Sequence, residues 1–131
     1  MGSPGGFIPL GTFGQQAANA MLGGPFIGIA TSGAVNPHAP AKYIITKATA
    51  AALTLAVPTA GTDDGVQIEF ISNTAAAHTI TTPAAGDIQD GNSTGNNTVM
   101  TFNAKKGANC TLEAYQGIWI VTTEVGCSLT S

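Results

Sequence analysis

Val66-Gln67-Ile68-Glu69-Phe70-Ile71-Ser72 is the stretch whose reading decides the fold. Val66, Ile68 and Phe70 alternate with Gln67 and Glu69, a period of two that puts one face of an extended strand on a core and the other toward solvent or a neighbour. Outward from it, short β-branched runs recur with turn residues between them. Strands are expected at Lys42–Lys47, Ala52–Ala56, Val66–Ser72, His78–Thr82, Thr98–Asn103, Asn109–Ala114 and Ile118–Glu124. About seven short strands so spaced predict an all-β domain, a small β-sandwich or jelly-roll-like barrel.

Two runs break the alternation. Tyr43-Ile44-Ile45 and Ile118-Trp119-Ile120-Val121 are apolar on both faces, more than an isolated sandwich with two wet outer faces requires. The surplus face is expected to be a subunit contact, with Tyr43, Ile45, Trp119 and Val121 as its residues. The turns have their own chemistry. Asp63 and Asp64 sit among glycines between two strands, where Asp side chains bond nearby backbone amides. Lys105-Lys106-Gly107 and Tyr115-Gln116-Gly117 are expected to close hairpins, and 85–97, the longest polar segment, to be an exposed, mobile loop. No internal repeat supports a solenoid or β-helix.

Upstream the texture differs. Met1–Ala41 has no Asp, Glu, Lys or Arg and is interrupted throughout by Gly and Pro, so it cannot hold one long regular element. The division expected is an extended uncharged arm over 1–41 and a β domain over 42–131. Phe7, Ile8, Leu10, Phe13, Met21, Leu22, Phe26, Ile27 and Ile29 would lie exposed if the arm floated free, so they are expected to bind a partner. A short helical turn over Gln15–Leu22, stopped by Gly23-Gly24, is compatible with the composition.

Composition narrows the function. The chain has 131 residues, of which 8% are charged and 44% hydrophobic, so much of its surface is uncharged or covered. About 25% charged residues is usual in a soluble domain. Four basic against seven acidic residues give a net charge of -3, which removes the basic footprint of a nucleic-acid binder. No apolar stretch approaches the roughly 20 residues of a membrane span, and no signal-peptide pattern opens the chain. No nucleic-acid or membrane partner is therefore expected.

The supply of reactive groups is thin: two histidines, two cysteines, seven carboxylates and no arginine. His78 is expected to pack or cap at a strand end, and His38, between prolines, has no acid nearby in sequence. Cys110 and Cys127 read as buried free thiols, with closure as one bridge the alternative. Asp87, Asp90 and Asn92 lie close together but do not follow an EF-hand spacing, so a solvated turn is expected there. The sequons at Asn92, Asn96 and Asn109 read as products of Asn/Thr-rich loops. No catalytic residue, cofactor or metal is expected.

Leu53-Thr54-Leu55-Ala56-Val57-Pro58-Thr59-Ala60-Gly61-Thr62-Asp63-Asp64-Gly65-Val66, continued by Ile71-Ser72-Asn73-Thr74-Ala75-Ala76-Ala77-His78-Thr79-Ile80, resembles a small β domain of tailed-bacteriophage virion proteins. Leu112–Val121 is similar to the closing hairpin of that group, in which a turn leads to a tryptophan on the last strand. The resemblance spans about Lys42 to Val125. It implies a particle component of capsid decoration, head-fibre or tail-associated type, commonly trimeric, and carries over no catalytic residue. The expectation is a decoration (cement) protein that trimerises on the outer surface of a phage head, with the major capsid protein as partner of the arm. The alternatives are a head-fibre or tail-fibre module, or a carbohydrate-binding module in which Trp119 and Tyr115 would stack on sugars.

Overall fold

The computed structural model describes residues 25–92 and 95–131. Among them there is no helix, and the strands are β1 (Ile27–Ile29), β2 (Gly33–Val35), β3 (Ala41–Ile45), β4 (Ala52–Leu55), β5 (Gln67–Ser72), β6 (Thr79–Thr81), β7 (Ile88–Gln89), β8 (Val99–Phe102), β9 (Asn109–Tyr115), β10 (Ile118–Val125) and β11 (Cys127–Thr130). They form two mixed sheets, a six-stranded one ordered β1-β3-β5-β9-β10-β7 and a five-stranded one ordered β11-β8-β6-β4-β2. The all-β expectation holds, and each of the seven expected strands is present.

The first six strands alternate between the sheets. β1, β3 and β5 lie parallel in one, and β2, β4 and β6 lie parallel in the other, so each strand pair adds a rung to both sheets. This path is coil-like without a sequence repeat. Each rung needs only inward apolar side chains at alternate positions, and Tyr43/Ile45, Leu53/Leu55 and Ile68/Phe70 supply them with different residues. After β6 the pairing is antiparallel, β8 on β6, β9 on β5, β10 on β9 and β11 on β8, except that β7 lies parallel to β10. Lys105-Lys106-Gly107 therefore carries the chain from β8 in one sheet to β9 in the other, not around a hairpin as expected.

The inner faces share one core. Tyr43, Ile45, Ile68, Phe70, Cys110, Leu112 and Trp119 face Leu53, Leu55, Ile80, Met100 and Phe102 within it, and the Tyr43 and Phe70 rings stack at 5.3 Å. Each large side chain buried there contributes roughly 1.5–3 kcal/mol.

Three further expectations are corrected. The arm does not extend to residue 41, because β1 and β2 lie within it and pair with β3 and β4. Their three-residue lengths carry too little β signal to be read alone, and register against longer neighbours stabilises them. Ile29 packs against the core, Phe26 and Ile27 are exposed at the sheet edge, and Phe7, Ile8, Leu10, Phe13, Met21 and Leu22, like the turn over 15–22, fall outside the described residues. Second, Tyr43, Ile45 and Trp119 are buried within the single chain and so have no face to offer a subunit contact, while Val121 is half-buried against the same core. In a two-faced apolar run the sheet buries one alternate set, and these residues are that set. Third, 85–97 is not simply an exposed loop: Ile88 is buried in register with Trp119, and Gln89 Nε2 donates to the Gly86 and Gly95 carbonyls at 2.9 and 2.8 Å.

Candidate functional site

Residues paired across neighbouring strands share a face, so the register assigns the outer surface of the six-stranded sheet. Ile44, Ile71, Asn109 and Val125 form one outward row, and Gln67, Glu113, Ile120 and Gln89 another. Tyr115 and Ile118 pair at the β9–β10 turn. Tyr115 is 59% exposed, Ile120 40% and Ile118 37%, so this end of the sheet presents an apolar surface with Glu113 beside it, whereas exposed Val125 lies at the far end of β10. It is the alternate set to the one expected: Ile44, Ile118 and Ile120 point out where Tyr43, Ile45, Trp119 and Val121 point in.

The hairpin that carries this surface is fixed from below. Gln116 and Gly117 both have positive φ, 49° and 81°, the signature of a type I′ two-residue turn. Gln116 is an unusual residue there, and Asp64 holds it by accepting from its backbone N–H at 2.8 Å and from Nε2 at 2.7 Å. These amide donors keep the Asp64 carboxyl below the usual carboxylate range.

The five-stranded sheet has a different outer face. Its outward residues are Ala34 on β2, Ala52 and Thr54 on β4, Thr79 and Thr81 on β6, Val99 and Thr101 on β8, and Ser128 and Thr130 on β11. None carries a charge. The shortage of charged residues in the composition is realised here as a continuous surface of small hydroxyls and methyls.

The polar groups with acid–base chemistry are occupied by structural hydrogen bonds. Buried His78 accepts from the Ala51 N–H through Nδ1 at 2.9 Å, which leaves Nε2 to donate to Thr74 Oγ1 at 2.9 Å, and that hydroxyl donates to the Lys47 carbonyl at 2.7 Å. This neutral tautomer is fully satisfied, and burial, with Lys47 nearby, lowers the ring's pKa. His38 Nδ1 lies 2.6 Å from Asp63 Oδ2, which also accepts from the Thr59 N–H at 2.7 Å. The Thr59 amide and His38 lower the Asp63 pKa, and the pair ties the turn before β3 to the β4–β5 loop. Sequence reasoning missed this contact because the partners are 25 residues apart and join only through the fold.

His38 stands on the rim of an open cleft of about 640 Å3, with Val35, Pro37, Leu55, Thr82 and Pro83 among its lining. The lining adds no acid or thiol to the imidazole. Asp87 accepts from the Ala84 N–H and Asp90 from the Asn92 N–H, so both carboxylates shape turns. Among the described residues no group of three or more His, Cys, Asp or Glu side chains is placed to hold a metal ion. Nor is any helix among them long and apolar enough to cross a membrane. Trp119 is fully buried and offers no face to a sugar, which leaves Tyr115 alone as an exposed ring near that hairpin.

No protein-family model matches the chain, and no curated protein matches it significantly.

Proposed function

We propose that the chain is a virion structural protein, a capsid decoration (cement) protein that forms trimers on the outer surface of a tailed-bacteriophage head. The observation that carries this reading is the outward apolar set Tyr115, Ile118 and Ile120 at the β9–β10 turn, on a sheet whose reactive polar groups are already occupied. An exposed apolar patch on a rigid scaffold is characteristic of an association surface. Here it is assigned to contact between copies of the chain. The resemblance over Lys42 to Val125 supplies the particle.

The arm is assigned to the major capsid protein. Its described root, Phe26 and Ile27, is exposed at the edge of the six-stranded sheet, with the Lys42 ammonium 4.9 Å above the Phe26 ring. Apolar residues upstream of that root, from Phe7 to Leu22, gain by burial against a lattice what they lose in ordering. Three arms on one trimer would turn weak contacts into firm attachment through effective concentration.

The test is co-sedimentation with phage heads lacking the protein, comparing the full chain with a chain that starts at Pro25. That truncation keeps β1 and β2, whereas removal through residue 41 would strip an edge strand from each sheet. Binding by the full chain and its loss on truncation is the expected result. Equal binding by the two would remove the arm as anchor, and no binding by either would remove the head as site.

A further inference from the structure

β10 ends in the six-stranded sheet at Val125 and β11 begins in the five-stranded sheet at Cys127, so Gly126 alone makes the passage between sheets. Its φ is +68°, and a Cβ there would stand 3.3 Å from the Ala108 Cβ, so both backbone and space favour glycine. The inner faces of the two sheets converge at this corner. Cys127 pairs with buried Phe102 and so points inward from one sheet. Cys110 is fully buried and points inward from the other, in register with Phe70 and Glu124. Cys127 Sγ lies 3.4 Å from the carbonyl oxygen of Asn109, the residue before Cys110, so the fold brings the two thiols to the same corner of the core.

We propose that Cys110 and Cys127 form an intramolecular disulfide that staples the two sheets together at the β10–β11 corner. Both are thiols in this structure. Both side chains point into this corner from facing sheets, the arrangement a bridge between sheets requires. The staple would add a covalent link between sheets that meet at this corner through packing, the Gly126 turn and the weak Cys127 thiol contact to the Asn109 carbonyl.

The oxidant is a low-molecular-weight disulfide, RSSR. Cys127 is half-exposed and reacts first: its thiolate attacks one sulfur of RSSR, forming a mixed disulfide and expelling RS⁻. The Cys110 thiolate then attacks the Cys127 sulfur, forms the internal bond and expels the second RS⁻. Two thiols lose two electrons and two protons, and RSSR becomes two RSH. The neighbouring Cys127, burial and the negative charges of Glu124 and Glu69 hold the Cys110 thiol well above its ordinary pKa. The second step is therefore the slow one and quickens as pH rises. A reducing cytosol keeps the pair open, and an oxidising medium outside the cell closes it.

The experiment incubates the full chain with excess oxidised glutathione and follows intact mass, free thiols after denaturation and thermal melting. Expected are loss of both thiols, a mass lower by two hydrogens, a monomeric chain on a non-reducing denaturing gel, and a melting temperature raised by roughly 5–15 °C. Cys110→Ala, which keeps the buried site apolar, should stop at a stable glutathione adduct on Cys127, and Cys127→Ser should retain its remaining thiol. A stable glutathione adduct on the parent chain, a disulfide between chains, or two surviving thiols would each overturn the proposal.

Discussion

Trp119 Nε1 donates a hydrogen bond to the Ala56 carbonyl at 2.9 Å, a contact between residues 63 apart that joins β10 of one sheet to the end of β4 in the other. The indole fills the core between the sheets while its one polar atom reaches an acceptor at the rim. Trp119→Ala should therefore lose about 3–5 kcal/mol through the cavity left behind. Trp119→Phe, which keeps most of the volume and drops the hydrogen bond, should lose less. Urea unfolding of both variants checks this, and equal losses would show that ring volume is not what matters.

Acid should destabilise the fold in two stages. His78 is held neutral, and its Nδ1 must remain an acceptor for the Ala51 N–H. Its folded pKa lies below the unfolded value of about 6.5, so the unfolded chain binds more protons and stability falls as pH drops below that value. Asp63 and Asp64, whose folded pKa values are also lowered, add a second loss once pH falls through the carboxylate range. Melting temperature against pH should show both, and His78→Gln should flatten the upper stage alone.

Glu124 has the opposite sign. A bulge between Val121 and Thr123 turns it toward the inner face beside Cys110, its Oε2 is buried without a hydrogen-bond partner, and burial and Asp90 raise its pKa. The folded state therefore holds this proton more tightly than the unfolded chain does, and stability is lost as pH rises through the raised pKa. Glu124→Gln should be more stable than the parent at neutral pH, with the gap closing below about pH 4. A variant less stable at neutral pH would contradict this.

The sequence carried the fold where alternation was long enough to read. Val66–Ser72 and Asn109–Ala114 each hold several inward residues, and their strands appear nearly as expected. β1, β2, β7 and β11 run from two to four residues and are held by pairing with neighbours, a tertiary effect that local pattern does not encode. The coil-like path was hidden for a related reason: parallel rungs need inward apolar positions, not repeated residues. At the candidate surface the two-faced runs were legible, but not which half faced in. One residue of register exchanges Trp119 for Ile118 and Ile120, and only the buried partners Ile88 and Ala114 fix the choice.

That assignment can be tested directly. Ile118→Lys combined with Ile120→Lys places two charges on the outer face without touching the core, so stability should change by less than about 1 kcal/mol. Sedimentation should then show monomer where the parent sediments as a trimer. A parent that is monomeric at micromolar concentration, or a double variant that stays trimeric, would remove this face as the subunit contact.

The central claim, that the chain decorates a phage head, is tested most directly by a cryo-EM map of tailed-phage particles assembled with the chain. The account predicts clusters of three copies on the outer surface of the head, with Ile118 and Ile120 between copies and the segment before β1 laid across neighbouring major capsid subunits. Density for the chain on the tail, or a particle without it, would contradict the account.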